Sequence, residues 1–190
     1  ARYVLLVDIE RSHARAAKMK SRLSNNTADA VAPRSFDQKF FSWQQTFPFL
    51  EQILRQSETV RQEWQAIAHS PQTIDSPETS YDIKVNSWKN FWMVHTFPAD
   101  RPELTTWINE NCGLVPKTVA LLREIPGIRD AFFSELGPGV VLDEHYGYAD
   151  QSNFVLRCHI PLLVPDRLDG EVTEAQPCYV EVEGERRYHS

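Results

Sequence analysis

The sequence predicts an α+β protein, with helices first and a β-barrel or sandwich of the jelly-roll kind after them. One observation is a stretch at 48–68 whose apolar residues recur with helical spacing. The other is a series of short β-rich runs after residue 128, separated by turns that contain Gly and Pro. The chain has 190 residues, of which 42% are hydrophobic and 24% charged, and this composition is typical of a folded globular protein.

Residues 1–80 are predicted to form a mostly helical N-terminal region that opens with one strand. The apolar run 3–7 ends at Asp8 and indicates a buried strand. A helix is expected at 12–23. A longer amphipathic helix is expected at 48–68, since Pro48 suits a first helical turn.

Residues 81–190 are predicted to hold the β-rich domain. The predicted strands are 82–97 (as one strand or two), 131–136, 140–145 and 153–164. The predicted helices are 102–111 and 116–124, and a hairpin is predicted around Gly184 at 178–190. Aromatic residues concentrate in the first of these strands, and such clusters are typical of a core.

Composition excludes several classes of function. The formal net charge is −6 and no block of Lys and Arg occurs, so a nucleic-acid partner is not expected. No apolar run approaches the roughly 20 residues of a membrane span, and no leader is visible, so a cytoplasmic location is expected. The three cysteines are far apart and predict reduced thiols. The oligomeric state is left open.

Histidines and one arginine supply the candidate chemistry. Three of the six histidines lie at or after residue 145. Arg157 and His159 are two apart on a predicted strand, so their side chains leave the same face. A buried arginine needs an anion, which is either a ligand carboxylate or an internal Asp or Glu. His145 ends the neighbouring predicted strand and could face the same interior.

These residues belong to a longer pattern. It comprises Ser134-x-x-x-Pro138-Gly139, His145-x-Gly147 and Leu156-Arg157-Cys158-His159-x-x-Leu162, preceded by Asn111-Cys112 and Pro116-Lys117-Thr118. Over about residues 80–190 the combined spacing resembles the aspartyl/asparaginyl β-hydroxylase family. The resemblance implies a double-stranded β-helix and a dioxygenase that depends on Fe(II) and 2-oxoglutarate. It further implies hydroxylation of a C–H bond in an amino-acid, peptide or acyl substrate.

The resemblance also implies a role for each matching residue. His145 is the first iron ligand, while Ser134, Arg157 and His159 bind 2-oxoglutarate. Imidazole nitrogens suit Fe(II), and cationic or hydroxyl groups suit the carboxylates of the co-substrate. The second iron histidine, and an arginine for the distal carboxylate, are expected beyond Ser190, so the chain is expected to be C-terminally incomplete.

Several alternatives stay open. Without a complete iron site the chain would be a binding or scaffold domain. His189 is a substitute iron ligand or a solvated hairpin residue, and Asp143 is a spare carboxylate ligand or a solvated one. A zinc site would use His145, Cys158, His159 and Cys178. Adjacent positions on one strand face opposite ways, which disfavours a metal shared by Cys158 and His159.

Overall fold

A computed structural model gives the fold of the protein. It describes residues 2–11, 39–75, 88–98, 100–138, 140–145, 155–164 and 178–189. Among these residues, short helices cover one face of an antiparallel sheet, and the predicted α+β class is confirmed.

The described strands form one sheet and one separate hairpin. The sheet contains β1 (Arg2–Glu10), β2 (Ile74–Asp75), β3 (Trp88–Thr96), β4 (Thr105–Trp107), β5 (Ile128–Leu136) and β6 (Val155–Leu163). Its order is β2-β3-β5-β1-β6, with β4 also paired to β3. The hairpin consists of β7 (Tyr179–Val182) and β8 (Glu185–Tyr188). This part of the chain forms an open sheet and no closed barrel, so the jelly-roll prediction is not confirmed.

The N-terminal strand lies inside the sheet. β1 pairs antiparallel with β5 on one side and with β6 on the other. Leu5, Val7 and Ile9 are fully buried, and the strand predicted at 3–7 is confirmed. The predicted regions 1–80 and 81–190 therefore share one sheet. The boundary between them, like the helix predicted at 12–23, lies outside the described residues.

The helices are α1 (Trp43–Thr46), α2 (Glu51–Arg55), α3 (Ser57–Ile67), α4 (Asn109–Leu114) and α5 (Pro116–Arg123). The helix predicted at 48–68 begins with a 3-10 turn, Pro48–Leu50, and is interrupted at Gln56. The helix predicted at 116–124 is confirmed as α5. None of the described helices is long and apolar enough to cross a membrane.

Two predicted elements need correction. The helix predicted at 102–111 is wrong over most of its length, because a 3-10 turn leads into β4, whose residues Thr105–Trp107 pair with the end of β3. The strand predicted at 140–145 is wrong, because this segment has no regular structure and pairs with no described strand. The hairpin around Gly184 is confirmed. Glu183 and Gly184 both have positive φ, which is the geometry of a tight two-residue hairpin turn.

The core lies between α3 and the sheet. Trp64 of α3 is fully buried and packs between Tyr3 of β1 and Phe133 of β5, at ring-centroid distances of 5.9 and 5.1 Å. Val60 and Ile67 lie on the same side of α3 and are also buried. This packing fixes the helices against one face of the sheet.

Candidate functional site

The other face of the sheet carries polar side chains, and we call it the site face. On β1 the residues alternate, with Leu5 and Val7 in the core beneath the helices. Val4 and Leu6 face the opposite way, where they pack with Phe132 of β5 in a separate cluster. The site face is therefore the face on which Val4, Leu6 and Asp8 lie.

Three sequence-predicted residues lie together on the site face. Ser134 stands opposite Val4 on one side of β1, and His159 stands opposite Leu6 on the other. Arg157 stands opposite Asp8. Directly opposed residues of antiparallel strands project from the same face. Cys158 points the other way and packs against the core, so it does not share a metal with His159.

Ser134 is almost fully buried, and its hydroxyl has a defined partner. The indole Nε1–H of Trp88, on β3, donates a hydrogen bond to Ser134 Oγ over 2.9 Å. A serine hydroxyl that accepts one hydrogen bond still has its own O–H to donate. Ser134 can therefore act as a fixed hydroxyl donor on this face.

Arg157 is held by an internal carboxylate. Its Nε donates to Asp8 Oδ1 over 2.8 Å and its Nη2 to Asp8 Oδ2 over 2.6 Å. The Asp8 side chain is 1% exposed, whereas that of Arg157 is 38% exposed. Of the two anions that the sequence left open as partners, the structure contains the internal one. The paired arms of this contact orient the guanidinium and offset the cost of burying Asp8.

Two aromatic rings lie next to the Arg157 guanidinium. Arg157 Cζ lies 5.7 Å from the ring centre of Phe132. Phe132 in turn stacks on Trp92 of β3, with 4.1 Å between the ring centroids and 22° between the planes. Cation–π contact of this kind favours one guanidinium orientation.

His159 lies beside a second histidine at one end of the site face. The rings of His159 and His189 are nearly parallel, with 5.9 Å between their centroids. His159 retains exposed surface, but the protein around its ring removes much of the water that would solvate a positive charge. This desolvation, with the charges of Arg157, His189 and Arg2, lowers the pKa of His159 to about 3. Both rings are therefore neutral at physiological pH, because burial and Arg2 lower the pKa of His189 to about 4.

His145 lies away from regular structure. It is exposed in the segment 140–145, and its Nδ1 is 2.7 Å from the backbone oxygen of Asp143. Across the described ranges, no three His, Cys, Asp or Glu side chains come together in a metal-binding arrangement. The described residues alone therefore do not fit an iron centre.

The sequence of this chain is similar to those of known hydroxylases. A sequence profile described as aspartyl/asparaginyl beta-hydroxylase matches residues 55–190. The chain belongs to this family. It is also 29% identical, over 129 residues, to the ornithine lipid ester-linked acyl 2-hydroxylase of Rhizobium tropici, and the match covers 65% of the chain and 42% of that relative. The chain thus spans less than half the length of this relative. No solved structure matches significantly.

The hydroxylase-family match begins at residue 55 and so leaves out β1. The sequence analysis likewise did not assign two residues of β1 that lie on the site face, Asp8 and Arg2. The available signal was Asp8 at the end of an apolar run, since a charge on a buried strand requires a partner. Which cation it would meet depends on the pairing of β1 with β6.

The upstream family motifs have structural partners. Asn111 Nδ2 donates to the backbone oxygen of Trp92 over 2.7 Å, and Cys112 Sγ donates to that of Met93 over 3.3 Å. The pairing of β3 with β5 shifts register between Trp92 and Val94. The Asn111-Cys112 pair therefore binds the carbonyls at this irregularity and fixes the strand that carries Trp92.

Proposed function

We propose that the protein is an Fe(II)- and 2-oxoglutarate-dependent hydroxylase built on a double-stranded β-helix. One observation carries the proposal: Ser134, Arg157 and His159 share one face of the sheet in a chain of the hydroxylase family. A hydroxyl, a guanidinium and an imidazole are suitable donors for the carboxylates of a keto acid.

Each of these side chains has a distinct task in the proposed reaction. The Ser134 hydroxyl donates a hydrogen bond to a carboxylate oxygen of 2-oxoglutarate. Arg157, held by Asp8, supplies a fixed positive charge, and the neutral His159 ring supplies an N–H donor. Bound Fe(II) would supply the centre at which O₂ oxidises both the keto acid, to succinate and CO₂, and the C–H group, to C–OH. The donors on the site face hold 2-oxoglutarate in one orientation, and this fixed orientation favours its reaction with O₂.

The proposed iron ligand from this chain is His145. One imidazole holds Fe(II) weakly, and the described residues bring no second ligand beside it. The proposal is that His145 contributes one ligand and that the remaining ligands lie outside the described residues.

The proposed substrate is an acyl group or an aspartyl or asparaginyl side chain. The Rhizobium tropici relative is named for acting on the ester-linked acyl chain of ornithine lipid, and the family for acting on aspartyl and asparaginyl residues. Both names specify a C–H bond close to a carbonyl group. We accordingly propose hydroxylation next to, or one carbon beyond, a carboxyl, amide or ester carbon.

Succinate release tests the proposal. The 190-residue chain is incubated with Fe(II), 2-oxoglutarate and either an ester-linked acyl lipid or an aspartyl peptide, and succinate is measured together with hydroxylated product. We expect substrate-dependent succinate, and a lower kcat/KM for 2-oxoglutarate in Arg157→Gln and Ser134→Ala. Arg55→Gln, on the exposed surface of α2, is the matched control. Absence of succinate with every substrate would count against the proposal.

A binding or scaffold function is the second candidate. The observation that favours it is the exposed position of His145 and the lack of a metal-binding cluster within the described ranges. Anaerobic titration with Fe(II), followed by metal analysis after gel filtration, separates the two candidates. One retained iron per chain supports the hydroxylase, whereas no retained iron, together with no turnover, supports the scaffold.

A further inference from the structure

The loop that joins β3 to β4 exposes two large apolar side chains. Phe97 follows the last residue of β3 and is 78% exposed, and Leu104 precedes the first residue of β4 and is 41% exposed. Because the last residue of β3 pairs with the first residue of β4, Phe97 and Leu104 occupy the next position on each side. We call this segment the β3–β4 loop, and all of its described residues, 97–98 and 100–104, are exposed.

Backbone hydrogen bonds give the β3–β4 loop a fixed shape. The N–H of Arg101 donates to the oxygen of Pro98 over 3.1 Å, and that of Leu104 donates to the oxygen of Arg101 over 2.9 Å. At the base of the loop, the hydroxyls of Thr96 and Thr105 lie 2.8 Å apart. A loop that is already ordered loses little conformational entropy when it binds a partner.

The apolar surface of this loop is small for a protein partner. An aromatic side chain buries about 150–250 Å² and a leucine no more than that. A specific protein interface needs about 800 Å² from each partner, so two such side chains do not supply a stable interface with a second copy or another protein. A lipid surface has no such requirement, because single apolar side chains can enter the boundary between headgroups and acyl chains.

The charges of the loop suit a lipid surface without net charge. Arg101 forms an ion pair with Glu103 inside the loop, and Asp100 is exposed next to them. One positive and two negative side chains give the loop a charge of −1, and the whole chain has a formal charge of −6. Anionic lipids attract clusters of Lys and Arg, which this loop lacks. Zwitterionic lipid is therefore the complementary surface.

The loop lies at the end of the sheet that carries Arg157. The backbone N–H of Thr96 donates to Asp130 Oδ1 over 2.8 Å, and Asp130 stands opposite Asp8, the partner of Arg157. In the order β3-β5-β1-β6, three strand spacings of ~4.8 Å separate β3 from β6, which is about 14 Å. An acyl chain spans one leaflet, about half of the ~30 Å hydrocarbon core. A lipid held at the loop can thus reach the site face.

We infer that the β3–β4 loop inserts Phe97 and Leu104 into a zwitterionic lipid surface, and that the substrate is an acyl chain carried by a lipid of that surface. The choice of substrate rests on the proposed function, whereas the insertion of the loop does not. Arg101 and Glu103 remain at the level of the headgroups. The inference selects the acyl group over the aspartyl or asparaginyl side chain as the substrate.

Flotation of the full chain with phosphatidylcholine vesicles tests the insertion. We expect Phe97→Ser to lower the partition coefficient by about tenfold, because a large apolar side chain no longer leaves water. Leu104→Ser should lower it by a smaller factor, and the double variant should float least. Leu114→Ser is the matched control, since Leu114 lies at the end of α4 and is 42% exposed. Circular dichroism of each variant checks its fold.

The depth of insertion provides a second readout that a general change in the fold would not produce. Phe97→Trp should add fluorescence that is quenched by phosphatidylcholine brominated in its acyl chains. Leu114→Trp should add fluorescence that the same vesicles do not quench. Unquenched emission from Phe97→Trp in vesicle-bound protein would overturn the insertion of this loop.

Other partners of the loop would give different results. Equal flotation of wild type and Phe97→Ser, or no flotation of wild type, overturns the inference. Binding that requires anionic lipid and is lost at high salt overturns it as well. A concentration-dependent increase in size on gel filtration that Phe97→Ser abolishes would assign the loop to contact between two copies, and would also overturn it.

Turnover separates this inference from the proposed function. With acyl lipid in vesicles, Phe97→Ser should release less succinate than wild type, whereas with the same lipid in detergent micelles the two should be equal. Turnover by wild type without vesicle binding overturns the inference and leaves the proposed function standing. Vesicle binding that depends on Phe97, without succinate from any substrate, leaves the lipid contact standing and overturns the proposed function together with the substrate.

Discussion

Asp8 of β1 and Arg157 of the neighbouring strand β6 form a two-armed ion pair, with hydrogen bonds of 2.8 and 2.6 Å. The carboxylate is almost fully buried on β1, and the guanidinium is partly exposed on β6. A strand outside the region of the family match thus orients a residue inside it. This relationship links the stability of the sheet to the geometry of the site.

Removing the charge of Asp8 tests that link. We expect Asp8→Asn to lower the free energy of unfolding by about 1–3 kcal/mol, because Arg157 keeps its charge and loses its partner. Urea unfolding measures the change. The double variant Asp8→Asn/Arg157→Gln should be more stable than Asp8→Asn alone, since no unpaired charge remains. Glu51→Gln, in an exposed pair with Arg55 on α2, is the control and should leave stability nearly unchanged. Equal stability of Asp8→Asn and wild type would contradict the role.

Glu63 of α3 caps the start of α5 from outside that helix. Its carboxylate accepts hydrogen bonds from the backbone N–H of Lys117 and Thr118, over 2.9 and 2.7 Å, and from the hydroxyl of the buried Thr118 over 2.7 Å. We expect Glu63→Ala to cost about 1–2 kcal/mol, as loss of an N-terminal cap does. The exposed Gln65→Ala on the same helix is the control. A thermal melt in which both variants behave alike would refute the cap.

Asn111 fixes the β3 irregularity next to the stacked rings of Trp92 and Phe132. Asn111→Ala leaves the Trp92 carbonyl without this donor, and we expect a loss of about 1–2 kcal/mol. Because the carbonyl belongs to Trp92, near-UV circular dichroism should change as well. Exposed Asn109→Ala serves for comparison. Unchanged near-UV spectra in Asn111→Ala would show that the bond does not position the ring.

Acid should destabilise the protein through its paired histidines. Burial and nearby positive charge lower the pKa of His159 to about 3 and that of His189 to about 4, whereas an unfolded histidine titrates near 6.5. Between these values the unfolded chain binds more protons than the folded one. The stability that these rings contribute is therefore present above pH ~6.5 and is lost as the pH falls toward 4 and 3.

The measurement is the urea midpoint at several values between pH 7.5 and pH 4.5. His159→Gln/His189→Gln should lose less stability over this range than wild type, while His69→Gln should follow wild type. The same slope in all three proteins would mean that these rings do not contribute to the acid sensitivity.

The sequence predicted best the elements that depend on local pattern or on turn chemistry. The run at 3–7, the amphipathic helix at 48–68 and the hairpin at Gly184 all appear in the structure, because each follows from local pattern or turn chemistry. The segments 102–111 and 140–145 differ from prediction. Tertiary pairing decides the first, since Thr105–Trp107 pair with β3.

By itself the sequence determined that Arg157 and His159 share a face and that Cys158 does not, because side chains alternate along a strand. It also placed the chain in its family. Only the tertiary structure decided that Asp8 pairs with Arg157, and that His189 lies beside His159. Asp8 and Arg157 are 149 positions apart, and no local periodicity encodes which strands become neighbours in a sheet.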